Sequence, residues 1–145
     1  MNTTDIAPHT EPAITRLLDT AARIERRLDR TLSCTRGVSY SEYRLLAALA
    51  AAPADGLPRV ALAEAVGLSA SAVTRALKPL EKIGCLVTEK GERDARQSRA
   101  IITAAGLELF NDAQGILRDA LRELPLNSLS TQQVTDFQNR LEEMR

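Results

Sequence analysis

The chain has 145 residues, 44% hydrophobic and 26% charged, with a formal net charge of zero. That is enough for one domain with a packed core, and it excludes a disordered chain. Aromatics make up 3% and Trp is absent, so small and aliphatic residues must fill the interior, which favours packed helices. No apolar run approaches the roughly 20 residues of a membrane span, and Met1–Glu11 lacks a signal-peptide core. The two cysteines, Cys34 and Cys85, are far apart and have no partner at metal-ligand spacing, and the single histidine is His9. With no nucleophile–base set, phosphate loop or carboxylate cluster in the sequence, the reading is a cytoplasmic protein that is not an enzyme and needs no cofactor.

The first predicted helix spans about Pro12 to Thr35. Ile14, Leu17, Leu18, Ala21, Ile24, Leu28 and Leu32 form one apolar stripe at helical spacing, and Arg36-Gly37 supplies a stop. A helix this long in a chain this small suits a subunit interface. Ser39 and Glu42 make a capping box for a second helix carrying Tyr43, Leu46, Leu49 and Ala50 on one face, closed by Pro53-Ala54-Asp55-Gly56. A third, short helix covers Arg59 to Val66. Gly67 ends it, and Ser69 caps a fourth helix from Ala70 to about Ile83.

Two β-rich runs follow, Cys85–Glu89 and Ser98–Thr103, around the polar stretch Lys90–Gln97, which reads as a hairpin. Thr103 then caps a long helix from Ala104 to about Leu124, with Leu107, Phe110, Ala113, Leu117, Leu121 and Leu124 as its apolar positions. Pro125 breaks it. Ser130 and Gln133 form a second capping box for a last helix striped by Val134, Phe137, Leu141 and Met144.

The order predicts a mostly α fold with a small β-hairpin wing. Residues 38–103 form a winged helix-turn-helix lobe whose motif occupies 57–103, and 12–36 with 104–145 form flanking dimerisation helices. Charge supports this weakly. From Arg59 to Arg99 eight basic residues face five acidic ones, whereas beyond that four basic face seven acidic. On the fourth helix Ser69, Ala70, Ser71, Thr74, Arg75 and Lys78 lie away from the core stripe of Val73, Ala76, Leu77 and Leu80, so small residues and hydrogen-bond donors face outward near a helix start. The hairpin tip adds Arg93, Arg96 and Arg99, with Asp94 placed to brace an arginine. A solvated helix face and a self-neutralising hairpin tip would show the same residues.

The run Leu57–Gly106 resembles the multiple-antibiotic-resistance regulator (MarR) family. The resemblance rests on Leu62-Ala63-Glu64, Gly67-Leu68-Ser69, Val73-Thr74-Arg75, Leu80-Glu81-Lys82 before Gly84, Asp94-x-Arg96 and Thr103-x-x-Gly106, about a third of the chain. It implies a sequence-specific transcription regulator, a homodimer on a pseudo-palindromic double-stranded DNA operator. It implies that Ser69, Ser71, Thr74 and Arg75, with Lys78 beside them, approach the major groove. Arg96, with Arg93 nearby, would reach the minor groove, and Asp94 would orient the wing. It also implies a repressor released by a small aromatic or phenolic effector in a cleft between dimer helices and lobe, where Arg16, Tyr40, Tyr43 and Arg44 are candidates; Tyr43 equally reads as a core tyrosine. The alternatives are an oxidant-responsive regulator using Cys34, or a winged-helix module that binds protein instead of DNA. Pro79 departs from the pattern and is expected to kink or loosen the fourth helix.

Overall fold

The computed structural model describes residues 7–90 and 98–144, with the side chains of residues 126 and 127 set aside. In chain order the elements are α1 (Thr10–Arg36), α2 (Tyr40–Ala50), β1 (Leu57–Pro58), α3 (Arg59–Val66), α4 (Ala70–Lys82), β2 (Leu86–Glu89), β3 (Arg99–Ile102), α5 (Ala104–Arg122), a 3-10 turn (Pro125–Ser128) and α6 (Thr131–Glu143). The mostly α winged-helix architecture is the one expected. No single described helix is long and apolar enough to cross a membrane.

The caps do what their chemistry dictates. Ser39 Oγ accepts from the Glu42 N–H at 3.0 Å while the Glu42 carboxylate accepts from the Ser39 N–H at 2.9 Å. Ser130 and Gln133 repeat the arrangement at 3.2 and 2.8 Å. α1 begins two residues before Pro12, which therefore sits in the first turn, where a missing N–H costs nothing. α4 runs unbroken through Pro79 to Lys82, so the proline does not end the helix. Arg75 and Pro79 are both exposed, which leaves the carbonyl deprived of its helical partner open to water.

The sheet has the order β1-β3-β2, all antiparallel. Leu86 pairs with Ile102 and Glu89 with Arg99 in the hairpin, and Leu57–Pro58 adds a third, two-residue strand on Ala100 and Arg99. No sequence signal marks that third strand. Two residues carry no periodicity, and their partners lie over forty positions away.

The main core lies inside the lobe: Leu45, Leu46 and Leu49 of α2, Leu62 and Val66 of α3, Val73, Leu77 and Leu80 of α4, with Cys85, Leu86 and Ala100 from the sheet. A smaller cluster of Leu32, Val38, Tyr43 and Ala113 ties α1 to α2 and α5, and Leu109 and Phe110 pack against both. α5 seats on the sheet through Gly106. A Cβ there would fall 1.9 Å from the Cys85 carbonyl oxygen, which accepts the Thr103 N–H at 3.0 Å. Thr103 Oγ1 itself accepts from the Gly106 N–H and donates to the Gly84 carbonyl.

The apolar stripes of the outer helices are only partly used. In α1 burial begins at Leu28, while Ile14 and Leu18 are exposed. α6 buries no residue at all among those described, and Val134, Phe137, Leu141 and Met144 stay open. On α5 Leu107 and Leu121 are likewise exposed.

Candidate nucleic-acid interface

The helix-turn-helix is built by local chemistry. Gly67 takes a left-handed conformation (φ 64°) at the end of α3, and the Leu68 N–H returns to the Ala63 carbonyl at 3.1 Å. The chain then bends by 103° into α4, within the range of such motifs. Ser69 starts α4, its Oγ accepting from the Ala72 N–H at 3.2 Å. Part of the hydrogen-bonding capacity of Ser69 is thus spent on the cap, which leaves its hydroxyl proton available.

α4 divides cleanly. Val73, Leu77 and Leu80 are buried in the lobe core. Ser71, Arg75 and Lys78 are exposed on the opposite face and Thr74 is half-buried at its edge. Neither Arg75 nor Lys78 forms an ion pair among the described residues, and the first turn of α4 carries no acid. The outer face is therefore a positive surface whose helix N-terminus adds further positive potential.

Of the proposed wing residues, Arg93, Asp94 and Arg96 lie outside the described residues. The strands that flank them are set, and Arg99 has a defined task. Its Nε donates to the Asp55 carbonyl at 2.8 Å and its Nη2 to the Gly56 carbonyl at 2.7 Å, with the Asp55 carboxylate 3.1 Å away. In sequence Arg99 groups with the basic tip; in the structure it fastens the root of the hairpin to the turn before β1. Arg59, in sequence only one more basic charge, donates from Nη1 to Thr74 Oγ1 at 3.4 Å, and its Nε is buried with no hydrogen-bond partner among the described residues. A contact between side chains on two different helices leaves no spacing signal in the sequence.

The four residues considered for an effector are not gathered into one site by the described contacts. Tyr43 is buried in the α2–α5 contact, stacked between Tyr40 (centroids 6.2 Å apart) and Phe110 (5.7 Å). Burial pushes its phenol pKa up, with the nearby Tyr40 adding to the rise and a hydrogen bond to Gln114 opposing it. Arg44 is half-buried on the same helix. Tyr40 is held from below, its N–H donating to Asp29 Oδ1 on α1 at 2.8 Å. Arg16 is exposed and lies about 20 Å along α1 from Asp29, at 1.5 Å per residue. Cys34 is exposed, at the edge of an open groove of about 660 Å³ whose lining, including Arg26, Asp29 and Arg30, comes entirely from α1. Cys85 is buried, and burial raises its thiol pKa.

Residues 36–97 match the model of the MarR family. No curated protein matches the chain. Among solved structures, Sco3205 of Streptomyces coelicolor, a MarR family transcriptional regulator in complex with DNA, superposes with a TM-score of 0.85 at 25% identity, over 96% of this chain and 87% of that one. A MarR family regulator from Silicibacter pomeroyi gives 0.75 at 25% identity, over 91% and 86%. CouR of Rhodococcus jostii RHA1, bound to p-coumaroyl-CoA, gives 0.80 at 19% identity, over 96% and 95%. The chain is MarR-like in sequence across the lobe and has the fold of MarR family regulators along nearly its whole length.

Proposed function

We propose that this MarR-like chain is a DNA-binding transcription regulator that acts as a homodimer on a pseudo-palindromic operator. The carrying observation is the outer face of α4: exposed Ser71, Arg75 and Lys78, the two cations without ion pairs among the described residues, on a helix held by a 103° helix-turn-helix. α4 enters the major groove with Ser69, Ser71, Thr74, Arg75 and Lys78 toward DNA. The hairpin tip, with Arg93 and Arg96 braced by Asp94, enters the adjacent minor groove. The DNA complex of Sco3205, a chain of the same fold, supports this reading.

Residues 12–36 and 104–145 form the dimer interface and 38–103 the DNA-binding lobe. The exposed apolar residues of α1 and α6 support this division, since such faces are covered in obligate interfaces. We infer further that the protein is a repressor released by a small aromatic or phenolic ligand, which would engage Arg16, Tyr40, Tyr43 and Arg44 in a cleft between the dimer helices and the lobe. Exposure of Cys34 beside the α1 groove favours a second reading, release by an oxidant.

The test is selection: fragments of genomic DNA retained by the purified protein are sequenced and then footprinted. The expected result is a two-fold symmetric site whose half-site centres lie about 10 bp apart. Fragments without a common site, alongside retention of specific proteins, would replace this reading with a protein-interaction module. Loss of the footprint on adding aromatic acids, or on peroxide treatment that a Cys34→Ser variant resists, separates the two effector classes.

A further inference from the structure

We propose that Arg59 is a specificity-determining positioning residue: it holds the Thr74 hydroxyl as a hydrogen-bond donor aimed at the DNA base opposite α4. This rests on the DNA-binding reading above and adds to it both the sense of one base contact and the residue that sets it.

The argument begins with the donor inventory. An arginine offers donors and no acceptor, so in the Arg59 Nη1–Thr74 Oγ1 contact at 3.4 Å the threonine oxygen accepts. Its own proton must then go elsewhere. In a helix a threonine ordinarily gives that proton to the carbonyl four residues back, and here Thr15, Thr31, Thr35 and Thr135 all do so, at 2.7–3.0 Å. Thr74 and Thr20 make no such bond, and of these two only Thr74 receives a hydrogen bond from another side chain among the described residues. Thr74 sits half-buried at the edge of the outer face of α4, next to exposed Arg75 and Ser71. Its unspent proton is therefore on the side proposed to meet DNA.

The arginine is not held there by its own comfort. It is the first residue of α3, a helix whose first turn carries no acid, so its charge lies against the positive end of the helix dipole. Its Nε is buried without a partner among the described residues. Among the described residues the guanidinium makes no ion pair and no hydrogen bond other than the one to Thr74.

With one of its two lone pairs engaged by a cation and its proton unspent, the Thr74 hydroxyl is biased toward donating, and that bias discriminates. In the major groove it donates to guanine N7 or O6, adenine N7 or thymine O4, whereas at cytosine N4, a donor, it has only its second lone pair to offer and its proton stays unused. One position in each half-site should therefore reject cytosine, and that rejection should depend on both residues.

The test is binding of the full-length chain to a randomised half-site library, with parent, Arg59→Met, Thr74→Val, Thr74→Ser and the Arg59→Met/Thr74→Val double variant, each checked for folding by thermal melting. The expected result is a discrimination against cytosine of about two- to tenfold at one position. Thr74→Ser should keep it, Thr74→Val and Arg59→Met should flatten it, and the double variant should be no flatter than Thr74→Val alone. If Arg59→Met does not fold, Arg59→Gln, neutral and too short to reach Thr74, takes its place. The inference is overturned if Arg59→Met keeps the preference that Thr74→Val loses. It is equally overturned if Arg59→Met weakens all sequences alike, as a phosphate contact would. A parent protein that enriches no sequence would instead overturn the DNA-binding reading itself.

Discussion

Replacing Gly106 by alanine should separate the seat of α5 from the rest of the fold. The new Cβ would lie 1.9 Å from the Cys85 carbonyl oxygen and 2.8 Å from both the Cys85 carbonyl carbon and Ile102 Cγ1. Two of these three atoms are backbone and cannot rotate away. Reaching even a 3.0 Å separation from the oxygen requires α5 to move by about 1.1 Å, the difference between that limit and 1.9 Å. The same carbonyl accepts the Thr103 N–H at 3.0 Å, so the move stretches that bond toward 4 Å and loosens the Thr103 cap. Overpacking of this kind costs about 1–3 kcal/mol, and the weakened cap and bond place the total near the top of that range. At roughly 2–4 °C per kcal/mol for a chain of this size, the melting temperature should fall by about 5–10 °C. Gly115→Ala is the internal control on the same helix. Nothing lies within 4 Å of its Cβ position, so alanine should stabilise by up to about 1 kcal/mol through helix propensity. The assay is thermal unfolding by circular dichroism at one fixed protein concentration, since a dimer's midpoint depends on it. A Gly106→Ala variant that melts with or above the parent would refute the account of this joint.

Arg75→Ala should cost on the order of 1–3 kcal/mol of operator affinity and relax one position per half-site if it reads a base, measured by binding to an operator library. Arg96→Ala should weaken most sequences alike and lower the salt slope by about one unit, with Asp94→Ala a milder copy; parent-like binding by folded Arg96→Ala would remove the wing from the interface. Stability should fall on the alkaline side, because the folded state holds the Cys85 and Tyr43 protons more tightly than the unfolded chain does. That contribution is fully present below the ordinary thiol and phenol values, roughly pH 8.5 and 10, and is lost as pH rises through the higher folded ones. Urea melts across pH 7 to 11 should show it, and Tyr43→Phe should flatten the upper part of the decline.

What was legible in the sequence was local. Ser39 with Glu42, Ser130 with Gln133, Ser69 and Thr103 each announce a helix start within four residues, and all four caps are present. Gly67 likewise marks the turn of the helix-turn-helix because only a left-handed residue closes α3 there. What was hidden depends on pairs distant in the chain. Arg99 reaches back 43 and 44 positions to the carbonyls of Gly56 and Asp55, so a count of basic residues assigns it to the wrong task. Asp29 supports the start of α2 from α1, and Arg59 meets Thr74 across the helix-turn-helix. Periodicity marks an apolar face without naming what covers it. The stripes of α1, α5 and α6 look alike in sequence, yet Leu18, Leu121 and Phe137 remain exposed, because an apolar face does not say whether its cover lies in the same chain.

The most direct test of the central claim is the affinity of the purified protein for its selected operator and for a scrambled duplex of equal length, measured by fluorescence anisotropy from 50 to 200 mM salt, a range over which several phosphate contacts are readily counted. The account expects both affinities to fall steeply and linearly on a log–log plot, with the operator bound at least about a thousandfold more tightly throughout. Equal affinity for the two duplexes, or binding indifferent to salt, would contradict it.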